Sequence, residues 1–337
     1  MLQYYRNILA RITLKKAVNY LLLMLSYYLT KLSGRVLMWG KPVFISIEPA
    51  TACNLRCPQC PSGLREFTRE TGMLDKHFFE KTLLQLKGHL HSLTFYFQGE
   101  PYLNKEFLNM VAFASSHNIY TITSTNAHYL SAENAKHTVE SGLHKLIISV
   151  DGMSQETYSK YRIGGHLNKV LEGTREIVRQ KRALNSNTPH IIWQFVAFSH
   201  NQHEIALVKK TGKEMGVDEV KIKTAQIYDY SAGNKMIPDD ERLSRYKKQE
   251  DGSYALQNNL ANSCLRMWQG CVVTWDGKVV PCCFDKDASH RLGDLQSQEF
   301  HNIWHSQAYN SFRKMVMASR KNIDICTNCT EGTRVWS

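Results

Sequence analysis

Ala52-Cys53-Asn54-Leu55-Arg56-Cys57-Pro58-Gln59-Cys60-Pro61 packs three thiols into one short loop with the spacing Cys-x-x-x-Cys-x-x-Cys. Three thiolates close three corners of an iron–sulfur cube and leave the fourth iron open to an outside ligand. A structural zinc site is the alternative reading, and it asks for four closed ligands, usually as two separated Cys-x-x-Cys pairs. In the iron–sulfur reading the open iron is where chemistry starts.

Outward from this loop the chain alternates short apolar runs with helical segments. Residues 43–47 read as a strand that ends at Glu48-Pro49, so the loop sits at a strand's C-terminal end, where β/α barrels place their chemistry. Further strands are expected at 93–97, 119–124, 145–150, 190–198 and 219–224. Helical periodicity falls between them at 75–87, 105–117, 131–141, 167–182 and 203–215. The pattern predicts an α/β fold, a partial (β/α)6 TIM-like barrel of parallel strands. Residues 226–263 are polar and carry Gly233 and Pro238, which reads as a linker with some helix.

The 337 residues suffice for one large domain and one small one. Hydrophobic residues at 43% and charged ones at 21% describe an ordinary folded protein. The nine cysteines cluster with metal-type spacing and no secretory signal precedes them, so a reducing cytoplasm is expected. The formal charge of +12 is spread without a basic block, and no nucleic-acid recognition motif accompanies it. Within residues 1–41, Arg11, Lys15 and Lys16 precede the apolar run 21–29, and Lys31 and Arg35 follow it. This helix is too short in apolar length to span a bilayer. It either packs on the barrel or lies peripherally in a membrane interface, its cations on lipid phosphates.

The cysteine loop resembles the signature of the radical S-adenosylmethionine (SAM) superfamily, and the resemblance covers most of the chain. It implies a [4Fe–4S] cluster whose open iron is chelated by the amino and carboxylate groups of SAM. One electron then breaks a sulfonium C–S bond and leaves methionine and a 5′-deoxyadenosyl radical that abstracts hydrogen from a substrate. Gln98-Gly99-Glu100-Pro101 resembles the family's Gly-Gly-Glu-Pro motif, with Gln98 in place of the first glycine. The resemblance thus puts Gly99 and Glu100 at the SAM ammonium; a helix-initiating turn with Pro101 near N1 is the plainer reading. By position Ser124, Asn126 and Ser149 look like cofactor ligands, and Arg162 looks like a bidentate partner for the SAM carboxylate. Ordinary helix capping competes for these residues. Gln194 is a further candidate on the fifth strand, with barrel filling as its rival.

Six cysteines recur in the C-terminal segment, and Trp275-Asp276-Gly277 reads as a hairpin turn that brings Cys264 and Cys282 together. Cys326-Thr327-Asn328-Cys329 adds a Cys-x-x-Cys pair. The arrangement resembles the SPASM extension of radical SAM enzymes in its shorter "twitch" form, which implies an auxiliary [4Fe–4S] cluster held by Cys264, Cys282, Cys326 and Cys329. Cys283 is the alternative to Cys282, Cys271 is spare, and zinc again fits the spacing. Closed auxiliary ligation implies that this cluster takes an electron from the substrate, for a net two-electron oxidation. In related sulfatase-maturing enzymes an Asp follows the equivalent of Cys282 as a base; here Cys283 stands there and Asp285, two residues later, is the candidate for that catalytic, deprotonating role.

The expected organisation is therefore a basic helical segment (1–41), a radical SAM core (42–225), a linker (226–263) and a SPASM/twitch-like domain (264–337). The expected enzyme is a radical SAM oxidoreductase acting on a small-molecule or lipid-linked substrate such as an alcohol, or alternatively on a peptide. It would be served by a reducing donor such as flavodoxin or ferredoxin. A zinc-stapled protein that binds nucleic acid or a membrane surface is the alternative of another class, and it predicts colourless protein without SAM cleavage.

Overall fold

The computed structural model describes Asn7, residues 10–257 and residues 260–329. The chain divides into two compact units, one of Met1–Ala52, Phe67–Ile122 and Leu260–Gly332, the other of Cys53–Glu66, Thr123–Asn259 and Thr333–Ser337. The fold is the expected α/β arrangement of parallel strands joined by helices, with a C-terminal region after them.

In the first unit β1 (Phe44–Ile47) pairs in parallel with β2 (Ser92–Thr94), placing Ile45 against Leu93. β2 in turn pairs in parallel with the start of β3 (Tyr120–Thr125), Leu93 against Thr121. β2 stops three residues short of the expected run. Phe95 N–H still donates to Ile122 O at 2.7 Å, and the chain then leaves the ladder for the Gln98-Gly99 turn. On the crossovers lie α2 (Lys76–Leu86), whose first turn is capped by Asp75 accepting from Phe78 N–H at 2.7 Å, and α3 (Phe107–Ser116). Both bury an apolar stripe, Phe79, Leu83 and Leu86 on one and Met110, Val111 and Ala114 on the other.

The free edge of β1 takes β9 (Gly270–Val273) in parallel, with Ile45 opposite Cys271. The expected hairpin follows, β9 turning through Gly277 into antiparallel β10 (Lys278–Val280), which pairs with β11 (Gly293–Asp294). The last long helix (Gln307–Ser319) buries Tyr309, Phe312 and Val316 together with Arg313. That guanidinium lies 4.0 Å from the Tyr309 ring and 4.5 Å from the Trp304 ring and donates to the Met267 and Trp304 carbonyls. α1 (Leu14–Ser33) runs from a Thr13 cap to a left-handed Gly34 and packs through Lys16, Asn19, Leu23, Ser26, Tyr27 and Thr30. Among the described residues no helix is long and apolar enough to cross a membrane.

In the second unit β4 (Lys145–Ser149), β5 (His190–Ala197) and β6 (Glu219–Thr224) run parallel in that order. The helices Ala132–Glu140 and Leu167–Ala183 pack on one another, and Ile205–Glu214 lies on β5 and β6. Among its described residues, the segment expected as a linker with some helix is mostly turn and irregular chain, with one 3-10 turn (Glu241–Leu243) and two short strands. β7 (Tyr246–Lys248) and β8 (Tyr254–Leu256) make an antiparallel pair. Ile227, Ile237 and Tyr246 from this stretch join one apolar cluster with Leu55, Cys57, Tyr161 and Phe198. The Tyr246 hydroxyl donates to Ile227 O at 2.9 Å and accepts from Ile227 N–H at 2.8 Å, which ties the segment to itself, and Tyr228 N–H donates to Gln59 Oε1 at 3.0 Å, which ties it to the first cysteine loop.

Candidate active site

The loop of Cys53, Cys57 and Cys60 belongs to the second unit and is held mainly by backbone. Arg56 N–H donates to Ile163 O at 2.9 Å and Cys60 N–H to Cys57 O at 3.3 Å. Cys57 is buried, whereas Cys53 and Cys60 are half-buried. Two polar side chains reach the sulfurs. Asn126, just past β3, donates to Asn54 Oδ1 at 2.8 Å and approaches Cys53 Sγ at 3.9 Å. Arg162, at the end of the short helix Gln155–Tyr161, points Nη1 at Cys57 Sγ, 3.9 Å away, and donates through Nε to Asp151 Oδ2 at 2.6 Å. Asp151 is wholly buried, and its other oxygen accepts from Val196 N–H at 2.7 Å. Burial pushes the Cys57 thiol up, and the neighbouring Arg162 pulls it back toward thiolate.

Ser149 ends β4 and is buried, directly opposite Gln194 in the β4–β5 register. Ser124 is half-buried on β3. The structure thus gathers Asn126 and Arg162 at the cysteine loop and sets Ser149 beside Gln194. Gly99 and Glu100 belong to the first unit. There Gly99 adopts φ +71°, and a Cβ added to it would stand 2.2 Å from Ala50 O and 2.7 Å from Ala52 O. Glu100 N–H donates to Ala52 O at 2.8 Å, one residue before Cys53, while its carboxylate accepts from Tyr102 N–H at 3.3 Å. The Gly-Glu-Pro turn is therefore a cap for the 3-10 turn Pro101–Leu103 and also a clasp on the chain entering the cysteine loop.

In the first unit the second cysteine set occupies one neighbourhood. The Cys282 thiol is driven far up by burial and further by Cys283, Cys329 and Cys264, while the Cys326 thiol is pushed up to about 11 by burial against the pull of Arg320. Arg320 donates to Cys329 Sγ at 3.2 Å and to Ser263 O at 2.9 Å, and it feels Cys264, Cys329 and Cys326 together. Cys264 and Cys329 are therefore within electrostatic reach of both Cys282 and Cys326. Cys283 packs instead against the cluster of Phe97, Val272 and Val280, and Cys271 is buried on β9. Asp285 is buried, and its oxygens accept from Ser289 N–H at 2.8 Å and His290 N–H at 2.9 Å, which engages the carboxylate in a turn. Burial raises its affinity for a proton, and the two amides oppose that.

Among the described residues no three His, Cys, Asp or Glu side chains gather as ligands of a single metal ion. Each cysteine set instead has an arginine aimed at sulfur, the polar support that cluster thiolates use. Sequence reading passed over Asp151, Asn54 and Arg320. Asp151 was legible as the only acid in the Ser149–Gly152 stretch, and Arg320 as a cation six residues before Cys326.

Residues 47–192 match the radical SAM superfamily, and residues 264–330 match SPASM, an iron–sulfur cluster-binding domain. The chain is 24% identical over 291 residues to the S-adenosyl-L-methionine-dependent 2-deoxy-scyllo-inosamine dehydrogenase of Niallia circulans, which covers 85% of this chain and 91% of that protein. Among solved structures it resembles BtrN in complex with AdoMet and 2-DOIA, at TM-score 0.53 and 20% identity over 88% of this chain and 95% of that one. It also resembles Streptococcus suis SuiB bound to S-adenosylmethionine, at TM-score 0.64 and 14% identity over 91% and 75%. These structural likenesses speak to the fold alone.

Proposed function

We propose that this chain, which matches the radical SAM superfamily over residues 47–192 and SPASM over residues 264–330, oxidises a substrate C–H bond by two electrons. The observation that carries the reading is the pairing of each cysteine set with an arginine at sulfur, Arg162 at Cys57 and Arg320 at Cys329. The radical SAM domain binds a [4Fe–4S] cluster and SAM, and the SPASM domain binds auxiliary iron–sulfur chemistry. Together these groups supply one-electron cleavage of a sulfonium C–S bond, hydrogen-atom abstraction and a second site for an electron.

The chain's own residues have distinct tasks in this proposal. Cys53, Cys57 and Cys60 hold the first cluster, and Asn126 steadies the loop through Asn54. Arg162 is oriented by Asp151, and its Nη2 makes no hydrogen bond among the described residues, which leaves one edge of the guanidinium for the SAM carboxylate. Ser149 and Gln194 offer polar groups at neighbouring strand positions. Cys264, Cys282, Cys326 and Cys329 hold the auxiliary cluster, with Arg320 offsetting the charge of four thiolates. An alcohol oxidised in this way loses one hydrogen atom, one electron and one proton and becomes a carbonyl. A small hydroxylated substrate is favoured because the dehydrogenase relative extends along 91% of its own length. A lipid-linked alcohol presents the same reacting group, and a flavodoxin or ferredoxin is the proposed donor.

Anaerobic reconstitution with iron quantitation tests the reading. About eight irons per chain, as two four-iron clusters require, are expected, with 5′-deoxyadenosine formed from SAM on reduction. Colourless protein carrying zinc, or iron-loaded protein that never consumes SAM, would overturn it.

A further inference from the structure

We propose that α1 is an interfacial anchor that seats this protein on an anionic phospholipid surface. The helix buries a mostly polar face and exposes an apolar one. Its inward face carries Lys16, Asn19, Ser26 and Thr30 beside Leu23 and Tyr27, while Leu14, Val18, Leu21, Leu25, Tyr28 and Leu32 face outward. The outward positions are spaced by four, three, four, three and four residues, a single stripe along a helix of about 30 Å. Leu14 is 82% exposed, Leu21 66% and Leu32 83%. Ten of the nineteen large apolar side chains exposed among the described residues fall within residues 12–39. Elsewhere they are scattered singly, as on any surface.

The inversion has a local cause. The polar face serves as a hydrogen-bonding template for the returning segment of residues 37–41. Asn19 donates to Lys41 O at 2.9 Å and accepts from Lys41 N–H at 2.8 Å, Ser26 accepts from Trp39 N–H at 2.9 Å, and Thr30 accepts from Leu37 N–H at 2.9 Å. Lys16 Nζ donates to Asn118 O at 2.9 Å. Gly40 fits against the helix only because it lacks a side chain, since a Cβ would stand 2.9 Å from Leu23 Cβ. The helix is thereby fixed in rotation, and the stripe cannot roll inward without breaking these bonds.

Charge selects the occupant. Residues 1–47 contain no Asp or Glu and seven Lys or Arg. Exposed Lys15 and Lys31 lie about 100° to either side of the stripe's centre, placed to snorkel toward phosphates while the stripe enters the acyl boundary. Just past Gly34, an open groove of about 580 Å³ is lined by Arg35, His305, Asn310 and Lys314, a basic recess suited to a phosphate headgroup. A second copy of the chain would bring the same cations face to face, which disfavours self-association through this stripe. Anionic lipid satisfies the apolar stripe and the flanking cations together.

Flotation of the full chain with vesicles tests the proposal, independently of any cluster chemistry. We expect co-flotation with phosphatidylcholine/phosphatidylglycerol vesicles and at least tenfold weaker binding to phosphatidylcholine alone. The double substitution Leu21→Glu/Leu25→Glu should weaken binding at least tenfold while circular dichroism and iron content stay unchanged. Lys15→Gln/Lys31→Gln/Arg35→Gln should lower affinity for anionic vesicles and flatten its salt dependence. Absence of co-flotation overturns the proposal, as does undiminished binding by both variants. Self-association of the wild type that excludes vesicles, abolished by the leucine substitutions, would assign the stripe to a second copy instead. Should the leucine variant misfold, quenching of wild-type tryptophan fluorescence by brominated lipid decides, since Trp39 is 48% exposed beside the helix; no quenching refutes the anchor.

Discussion

Replacing Arg162 by Ala should be among the costliest single changes in the second unit. The guanidinium lies 2.6 Å from Asp151, whose side chain has no exposed surface, and only 15% of the arginine side chain is accessible. Without the arginine, the buried carboxylate keeps the Val196 amide as its side-chain support but loses its counter-charge. Removing one partner of a buried pair costs about 3–5 kcal/mol, roughly a thousandfold in the folding constant. With a urea dependence near 3 kcal/mol/M the unfolding midpoint should fall by about 1 M. Neutralising both ends, as in Arg162→Met/Asp151→Asn, should recover most of that loss because no charge is left stranded. Anaerobic urea unfolding followed by circular dichroism, on Arg162→Ala and on Arg162→Met, Asp151→Asn and their double, reads the cost and the cycle. A cost below about 1 kcal/mol for Arg162→Ala, or costs that simply add in the double variant, would refute the argument. SAM binding measured on the folded double variant then separates the structural pair from the proposed carboxylate contact.

Gly99→Ala should destabilise by about 2–4 kcal/mol, because the added methyl meets the Ala50 carbonyl at 2.2 Å and neither backbone can give; thermal unfolding checks it. Cys282→Ala should remove about four irons per chain, whereas Cys283→Ala should keep them, since Cys282 neighbours Cys264 and Cys329 while Cys283 packs among apolar side chains; iron analysis decides between the two. Burial, assisted by Arg11, lowers Lys16 to about 8 from 10.5, so between those values the unfolded chain holds a proton that the folded chain has released. Stability from this group therefore rises with pH through that window and is at its poorest below it. Relative to wild type, Lys16→Met should gain most at pH 7, and the gain should shrink by roughly 3 kcal/mol as pH climbs from about 8 to 10.5; unfolding measured at several pH values tests this.

The parallel strands were legible because β-branched runs alternate with helical periodicity, and β6 begins and ends where the pattern places it. β2 was overread, since Phe97 looks like strand yet belongs to the bend that delivers Gly99, while Phe95 keeps only one backbone bond to the ladder. Residues 226–263 looked like a linker because they are polar and carry Gly233 and Pro238, and only tertiary packing turns Ile227, Ile237 and Tyr246 into core. Periodicity alone could not say which face of α1 turns inward. The polar residues at 19, 26 and 30 carried that information, but only once their backbone partners at 37–41 were in place. At the candidate site the cysteines announce themselves by spacing, whereas Asp151 acts through Arg162, eleven residues on, and no local pattern reveals that.

The pairing of β1 with β9 has a consequence for biosynthesis. Strand 44–47 emerges from the ribosome early, yet the partner that closes its outer edge at 270–273 is translated more than two hundred residues later. At about 5–20 residues per second that is a delay of roughly ten to forty seconds. Throughout it the nascent chain carries an unpaired apolar edge a few residues before three free cysteines, so a ribosome stalled before Gly270 would release an aggregation-prone fragment rather than a smaller enzyme.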